Sequence, residues 1–227
     1  MARRNHPIFA RVFHRFAAFM ERDYAQHRRA LLAGLEGRVV EIGAGNGMNF
    51  RHYPSTVDEV VAVEPDPYLR GKAEAAARNA PVKVTVRDGV GEDLAIEDQR
   101  FDAAVASLVL CSVADPPQVL DQVRGVLKQG GELRFLEHVR GQRSAKARAQ
   151  TLLDRSRLWP LAAGGCHCSR DTVAAIEAAG YDIQHVRSFD VGPSRSHTNP
   201  HVLGTATPRR APPTAPPAAQ APPPAPV

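Results

Sequence analysis

The sequence predicts an α/β fold, a three-layer sandwich in which helices cover both faces of a mostly parallel sheet, and three observations carry that prediction. Strand-like and helix-like apolar patterns alternate from residue 38 onward. A glycine-rich turn follows the first strand, and the last two strands, joined through Gly192-Pro193-Ser194, read as an antiparallel pair. The strands fall at 38–42, 59–64, 82–87, 101–107, 131–138, 181–189 and 201–207, with helices between them near 47–53, 67–79, 115–126, 145–157 and 169–179. Gly130-Gly131 reads as the stop of one helix and the start of a strand. Ser169 is expected to cap the last helix, with Asp171 in its first turn, and Gly180 to close it.

A chain of 227 residues with 43% hydrophobic content supports one sizeable core. That core is assigned to residues 36–207, flanked by an amphipathic helix within 1–35 and a Pro/Ala-rich tail at 208–227. The helix spans 8–33: Ile8, Val12 and Phe16 form a stripe that Phe9, Phe13 and Met20 widen, with Arg opposite and Gly34 and Gly37 ending it. It is read as a lid or a surface helix. The tail has no apolar periodicity and is expected to stay disordered or polyproline-like. No stretch reaches the roughly 18 apolar residues of a spanning helix, and the Arg-rich start lacks the features of a secretory signal, so a cytoplasmic location is expected.

The net charge of +5 sits at the ends of the chain. Residues 1–38 hold eight Arg against three acids, Arg209 and Arg210 add two more, and the remainder carries 19 bases against 21 acids. A near-neutral body argues against nucleic acid as a partner. The three cysteines, Cys111, Cys166 and Cys168, are too few for a disulfide framework. Cys166-His167-Cys168 has no second CxxC to complete a metal site, and no metal is predicted.

The chemistry is concentrated after the first strand. Gly43, Gly45 and Gly47 let the backbone turn tightly and approach a ligand, and they form GxGxG, with Met48 where the dinucleotide pattern GxGxxG needs glycine. Glu41, two residues earlier, puts an anion where a pyrophosphate would be repelled and an ammonium or sulfonium group favoured. Glu64 ends the second strand, where a carboxylate accepts hydrogen bonds from ribose hydroxyls. Together these point to S-adenosylmethionine. Gly91 and Glu92 follow the third strand, where such a fold receives the adenine, although Glu92 alone also reads as an ordinary loop acid.

The fourth strand emerges through Leu108, Val109, Leu110 and Cys111, an apolar run without the Asn/Asp-Pro-Pro-Tyr motif that accepts amine hydrogens in enzymes acting on bases or glutamine. When an anionic nucleophile meets a sulfonium, charge cancels in the transition state, and a dry lining favours that. A thiolate acceptor suits such a pocket. His138, at the end of the fifth strand, is the candidate base, with Glu137 to orient it; a hydrogen-bonded structural histidine is the alternative. Cys166 and His167 are candidate wall residues.

The segments EIGAGNGMNFRHYP, VGEDL, LVLCSV, VLKQGGELRFLEHV, GGCHCSRDT and NPHVLGTA, spread over about 36–207, resemble in order the motifs of the class I methyltransferases, and more narrowly the methyltransferase-like 7 group of small-molecule thiol methyltransferases. The resemblance implies a Rossmann-like fold with a seven-stranded sheet and an antiparallel last strand, and no metal. It implies Glu41, Gly43, Gly45 and Gly47 at the methionine end, Glu64 at the ribose, Gly91 and Glu92 near adenine, and Ser107 and Leu108 near the transferred methyl. Two departures stand out. The group's eukaryotic members carry a longer hydrophobic N-terminal anchor, and Cys168 stands where an aliphatic residue is common. The expected activity is methyl transfer to a small hydrophobic acceptor. A lipid or quinone-like acceptor, reached by peripheral membrane contact through the N-terminal helix, is the alternative. So is a non-catalytic cofactor-binding module.

Overall fold

Short Val- and Ala-rich runs, apolar on both sides, belong in strands covered on both faces, and seven strands pair into one sheet in the computed structural model. The structure describes residues 7–94, 96, 100–192 and 196–209. The elements are α1 (Pro7–Leu32), β1 (Gly37–Ile42), β2 (Val57–Val63), α2 (Pro67–Ala77), β3 (Lys83–Arg87), β4 (Phe101–Ser107), α3 (Pro116–Val126), β5 (Leu127–His138), α4 (Ser144–Arg155), α5 (Leu158–Ala162), α6 (Thr172–Ala178), β6 (Tyr181–Phe189) and β7 (His201–Pro208).

Successive side chains of each strand pass to opposite faces, so one sequence builds two cores. Val40, Ile42, Val61, Val63, Ala104 and Ala106 pack with Val119, Leu120 and Val123 of α3 and Ile176 of α6. Their neighbours Val39, Val60, Ala62, Ala103 and Val105 pack with Tyr24, Leu31 and Leu32 of α1 and Ala73 of α2. Strands β1 to β5 run parallel to one another, whereas β7 runs antiparallel between β5 and β6, setting His201 opposite His138 and Pro208 opposite Tyr181. From β1 the chain moves outward to β2 and β3, then returns to place β4 on the other side of β1. Strand order reverses there, and such a reversal opens a crevice at the carboxyl ends of the strands.

Five local expectations are corrected. The helix expected over 47–53 is a single 3-10 turn, Phe50–His52: glycines at positive φ precede it, the Asn49 side chain is drawn inward, and Pro54 follows. Asp171, not Ser169, caps α6, its Oδ1 accepting from the Ala174 N–H, while the Ser169 amide and hydroxyl both donate to Asp154. Strand β5 begins at Leu127, directly after α3, and Gly130 lies within it at a break in the pairing with β4. The five-residue helix α5 was not expected at all.

The fifth correction concerns α1, which carries two apolar faces. Ala10, Ala17 and Tyr24 turn inward and are buried, whereas Val12, Phe16 and Phe19 are 50%, 56% and 65% exposed. A stripe spaced four residues apart identifies an apolar face but cannot decide between two of them. The side chain of Ile8, most of the expected tail (residues 210–227), and Pro193 and Ser194 of the final connection lie outside the described residues.

Candidate active site

The turn after β1 is where the sequence is most constrained by geometry. Gly43, Gly45 and Gly47 have φ of +59°, +56° and +78°, the left-handed region that side chains disfavour. They differ in what surrounds them. A Cβ on Gly43 would lie 2.5 Å from a Val109 methyl and one on Gly47 2.8 Å from the Phe50 ring, so those two are closed by packing. At Gly45 the nearest neighbour is Phe13, 3.7 Å away, and the space above the backbone is open. That space is a cavity of about 710 Å³ at the β1/β4 crevice, within the usual range for small-ligand sites.

Glu64 fastens the turn to the end of β2. Its Oε2 accepts from the Gly45 N–H at 2.7 Å and its Oε1 from the Asp66 N–H at 2.9 Å. Each oxygen keeps a further lone pair, and the residue lines the cavity. Burial raises its pKa against the pull of those two amides.

Glu41 sits deeper. Its carboxylate accepts from the Tyr53 hydroxyl at 2.7 Å and the Asn49 amide at 2.8 Å. Burial pushes its pKa from 4.5 up to about 7, opposed by those hydrogen bonds and by the nearby Arg28 charge. Arg28, from α1, donates to Asn49 Oδ1 at 2.7 Å and to Ser107 Oγ at 3.3 Å, and pairs with Glu21 at 3.2 Å. The sequence reading missed Arg28. Its signal was positional: a cation one helical turn from Tyr24 and Leu31, on the face that packs against the sheet.

The opposite wall is the exit of β4. Leu108 turns the chain with φ of +61°, and its N–H donates to Leu136 O at 2.7 Å. The next three amides, of Val109, Leu110 and Cys111, converge on the carboxylate of Glu137 at 3.0, 2.9 and 3.1 Å. Glu137 is therefore the buckle of this loop: the hydrogen bonds described for its carboxylate go to these three backbone amides and not to His138. Glu92 likewise accepts from the amides of Ala114 and Asp115, holding the loop after β3 to the start of α3.

The N-terminal part of α1 covers the cavity. Phe9 and Phe13 stack with centroids 5.6 Å apart, Phe13 beside Gly45 and Phe9 against Gly164, and both line the opening with Ala10. Of the residues singled out from sequence, Glu41, Gly43, Gly45, Glu64, Gly91, Glu92, Ser107 and Leu108 line this one cavity. Gly47 shapes the turn from behind. His138 is not in the lining. Its Nδ1 lies 3.2 Å from Cys166 Sγ and 3.6 Å from Cys111 Sγ, and its ring stands edge-on to His201.

The methyltransferase domain family matches residues 40–135, from β1 to β5. Thiol S-methyltransferase TMT1B of Rattus norvegicus is 32% identical over 176 residues, covering 75% of this chain and 70% of that protein. The chain belongs to this methyltransferase family. Thiol S-methyltransferase TMT1A of Homo sapiens is 29% identical over 205 residues, 85% of this chain and 82% of that protein. Among solved structures, a SAM-dependent methyltransferase from Thermotoga maritima superimposes with a TM-score of 0.58 over 88% of this chain and 100% of its own, at 23% identity. That last likeness speaks to the fold, which is Rossmann-like. The enzyme uses S-adenosylmethionine, and the cavity suits it: an open glycine floor, buried carboxylates and a buried guanidinium. No helix among the described residues is long and apolar enough to cross a membrane.

Proposed function

We propose that this methyltransferase acts on a small hydrophobic thiol. The observation that carries the reading is the apolar lining of the cavity beside the glycine turn, by Phe9 and Phe13 from α1 and by Leu108, Val109 and Val113 from the β4 exit. The relatives' own thiol activity supports it. In this reading Glu64 takes the ribose hydroxyls with its free lone pairs, and Gly91 and Glu92 flank the adenine. Glu41 and Arg28, a carboxylate and a guanidinium on one buried network, face the zwitterionic methionine end, and Ser107 and Leu108 border the methyl.

The cofactor supplies an electrophilic methyl on sulfonium. The chain's share is alignment and dryness: Gly43 and Gly45 keep the floor open, Glu137 holds the β4 exit rigid, and the Phe9–Phe13 pair excludes water from a thiolate whose charge vanishes on transfer. Since His138 Nδ1 faces two thiols of the protein, the acceptor is taken to arrive already ionised, and His138 serves as a positioning residue behind the wall. Three free, buried cysteines fit a reducing, cytoplasmic setting.

A screen of thiols, phenols, amines and lipids with labelled cofactor, read by mass spectrometry of the product, tests the acceptor. S-methylated product from small aromatic or aliphatic thiols is expected; transfer confined to oxygen or nitrogen acceptors would overturn the reading. Phe13→Ala is expected to raise KM for a hydrophobic thiol several-fold, about 1 kcal/mol of lost contact, while cofactor affinity changes little.

Glu41 gives a pH dependence. Its folded value exceeds its unfolded one, so the ligand-free enzyme loses stability as pH rises from 4.5 through about 7, where the buried carboxyl ionises. A bound cation favours the ionised form, so cofactor affinity is expected to rise across that window. Calorimetry at a series of pH values checks this, and Glu41→Gln should flatten the profile.

A lipid or quinone-like acceptor is the second reading, favoured by exposed Val12, Phe16 and Phe19 on α1 and Leu158 and Leu161 on α5. Sedimentation with anionic vesicles separates the two: retention in the supernatant removes the membrane reading.

A further inference from the structure

Three donors that touch neither cofactor nor acceptor in the methyl-transfer reading meet behind the cavity wall. Cys111 comes from the loop after β4, His138 from the end of β5 and Cys166 from the loop after α5, and their donor atoms all lie within 4.8 Å of one another. Cys111 and Cys166 are 1% and 5% exposed. We propose that Cys111, His138 and Cys166 bind a zinc ion, a site the sequence spacing did not suggest.

The geometry argues for it. In a tetrahedral zinc site with Zn–S near 2.3 Å and Zn–N near 2.1 Å, an imidazole nitrogen and a thiolate sulfur on the same ion stand about 3.6 Å apart. His138 Nδ1 lies 3.6 Å from Cys111 Sγ and 3.2 Å from Cys166 Sγ, so one nitrogen–sulfur edge already has that length and the other is a few tenths of an ångström short of it. A hydrogen bond explains one of these approaches but not both, because Nδ1 offers a single lone pair to two thiols. The donor set is that of a soft-to-borderline cation: two thiolates and an imidazole suit Zn²⁺, whereas Mg²⁺ and Ca²⁺ require oxygen. Binding exchanges two S–H protons, released to water, for two Zn–S bonds, leaving the cluster neutral.

Three protein ligands leave the fourth position to water or an added thiolate. The ion would stand directly behind the acceptor wall: Ser112, next to Cys111, and Gly165, next to Cys166, both line the cavity, and the His167 N–H donates to Cys111 O at 2.8 Å. It would tie the β4 exit, the end of β5 and the loop after α5 into one rigid panel. This assignment stands whichever acceptor is methylated.

The test uses the full chain, reduced and freed of metal by chelation, then titrated with Co²⁺ as a spectroscopic probe and back-titrated with Zn²⁺. One Co²⁺ per chain is expected, with the thiolate-to-cobalt charge-transfer band and strong visible absorption of a tetrahedral site, bleached by Zn²⁺. Loss of an outer-shell partner of a metal ligand already costs about 10-fold to 100-fold in affinity, so Cys166→Ser is expected to weaken binding at least that much. Cys168→Ser, whose thiol contacts Asp154 instead, should leave it unchanged. If Cys111→Ser does not fold, the wild-type spectrum and Cys166→Ser decide. Absence of stoichiometric uptake by the reduced wild-type chain overturns the site, as does Cys166→Ser binding like wild type or a Cys111–Cys166 disulfide forming with no uptake.

Discussion

Gly45→Val is expected to abolish binding of S-adenosylmethionine while leaving a folded protein. At φ +56° a β-branched residue is strained, at a cost of about 1–2 kcal/mol or more. The valine would also project into the open floor of the cavity, where Phe13 is the nearest neighbour. The backbone N–H of the same residue holds Glu64 at 2.7 Å, so displacing it moves the carboxylate as well. Calorimetric titration should find no saturable binding, with a thermal transition lowered by several degrees; affinity within threefold of wild type would refute the assignment of this turn. Gly45→Ala separates the two effects: it keeps much of the strain with little intrusion, and should lose affinity without losing binding.

Arg28→Met comes next in size. The substitution retains most of the aliphatic volume and removes the charge, so packing of α1 is preserved. What is lost is the donor to Asn49 Oδ1 and Ser107 Oγ, and the partner of Glu21. Glu21 keeps its contact with His52 at 2.6 Å, whereas the buried Glu41 loses the nearby charge that opposes the effect of its burial and is expected to titrate still higher. Cofactor affinity should fall between tenfold and a hundredfold, about 1.4 to 2.8 kcal/mol. The measurement is the dissociation constant of Arg28→Met beside Arg28→Lys. Equal affinity for wild type and Arg28→Met would exclude the guanidinium from the methionine end.

The layered architecture was legible because its causes are local and repeated: Val/Ala runs such as 60–63 and 103–106 suit strands covered on both faces. The glycine turn was legible because positive φ leaves few residue choices. Glu137 and Arg28 were not legible in their roles. Glu137 receives three amides from residues 26 to 28 positions earlier, and Arg28 meets Ser107 across 79 positions, so both roles depend on tertiary contact. His138 shows the same limit from the other side. Its place at a strand end suggested substrate contact, but the side chain meets Cys111 and Cys166, which no spacing rule connects. The inward face of α1 was ambiguous because both faces are apolar, and only packing against the cavity chooses Phe9 and Phe13 over Val12 and Phe16.

The reversed direction of β7 has a practical consequence. The parallel strands deliver Ile42, Ser107 and His138 to the edge of the sheet that bears the cavity, but β7 starts there, at His201, and runs away from it to Pro208 beside Tyr181. Seven steps of about 3.3 Å carry the chain roughly 23 Å from that edge. A reporter, affinity handle or solid support joined at Arg209 would thus be anchored at the pole opposite the cavity. Helix α1 offers no such freedom, since it roofs the cavity; Arg209 is the point from which to tether this enzyme for turnover measurements.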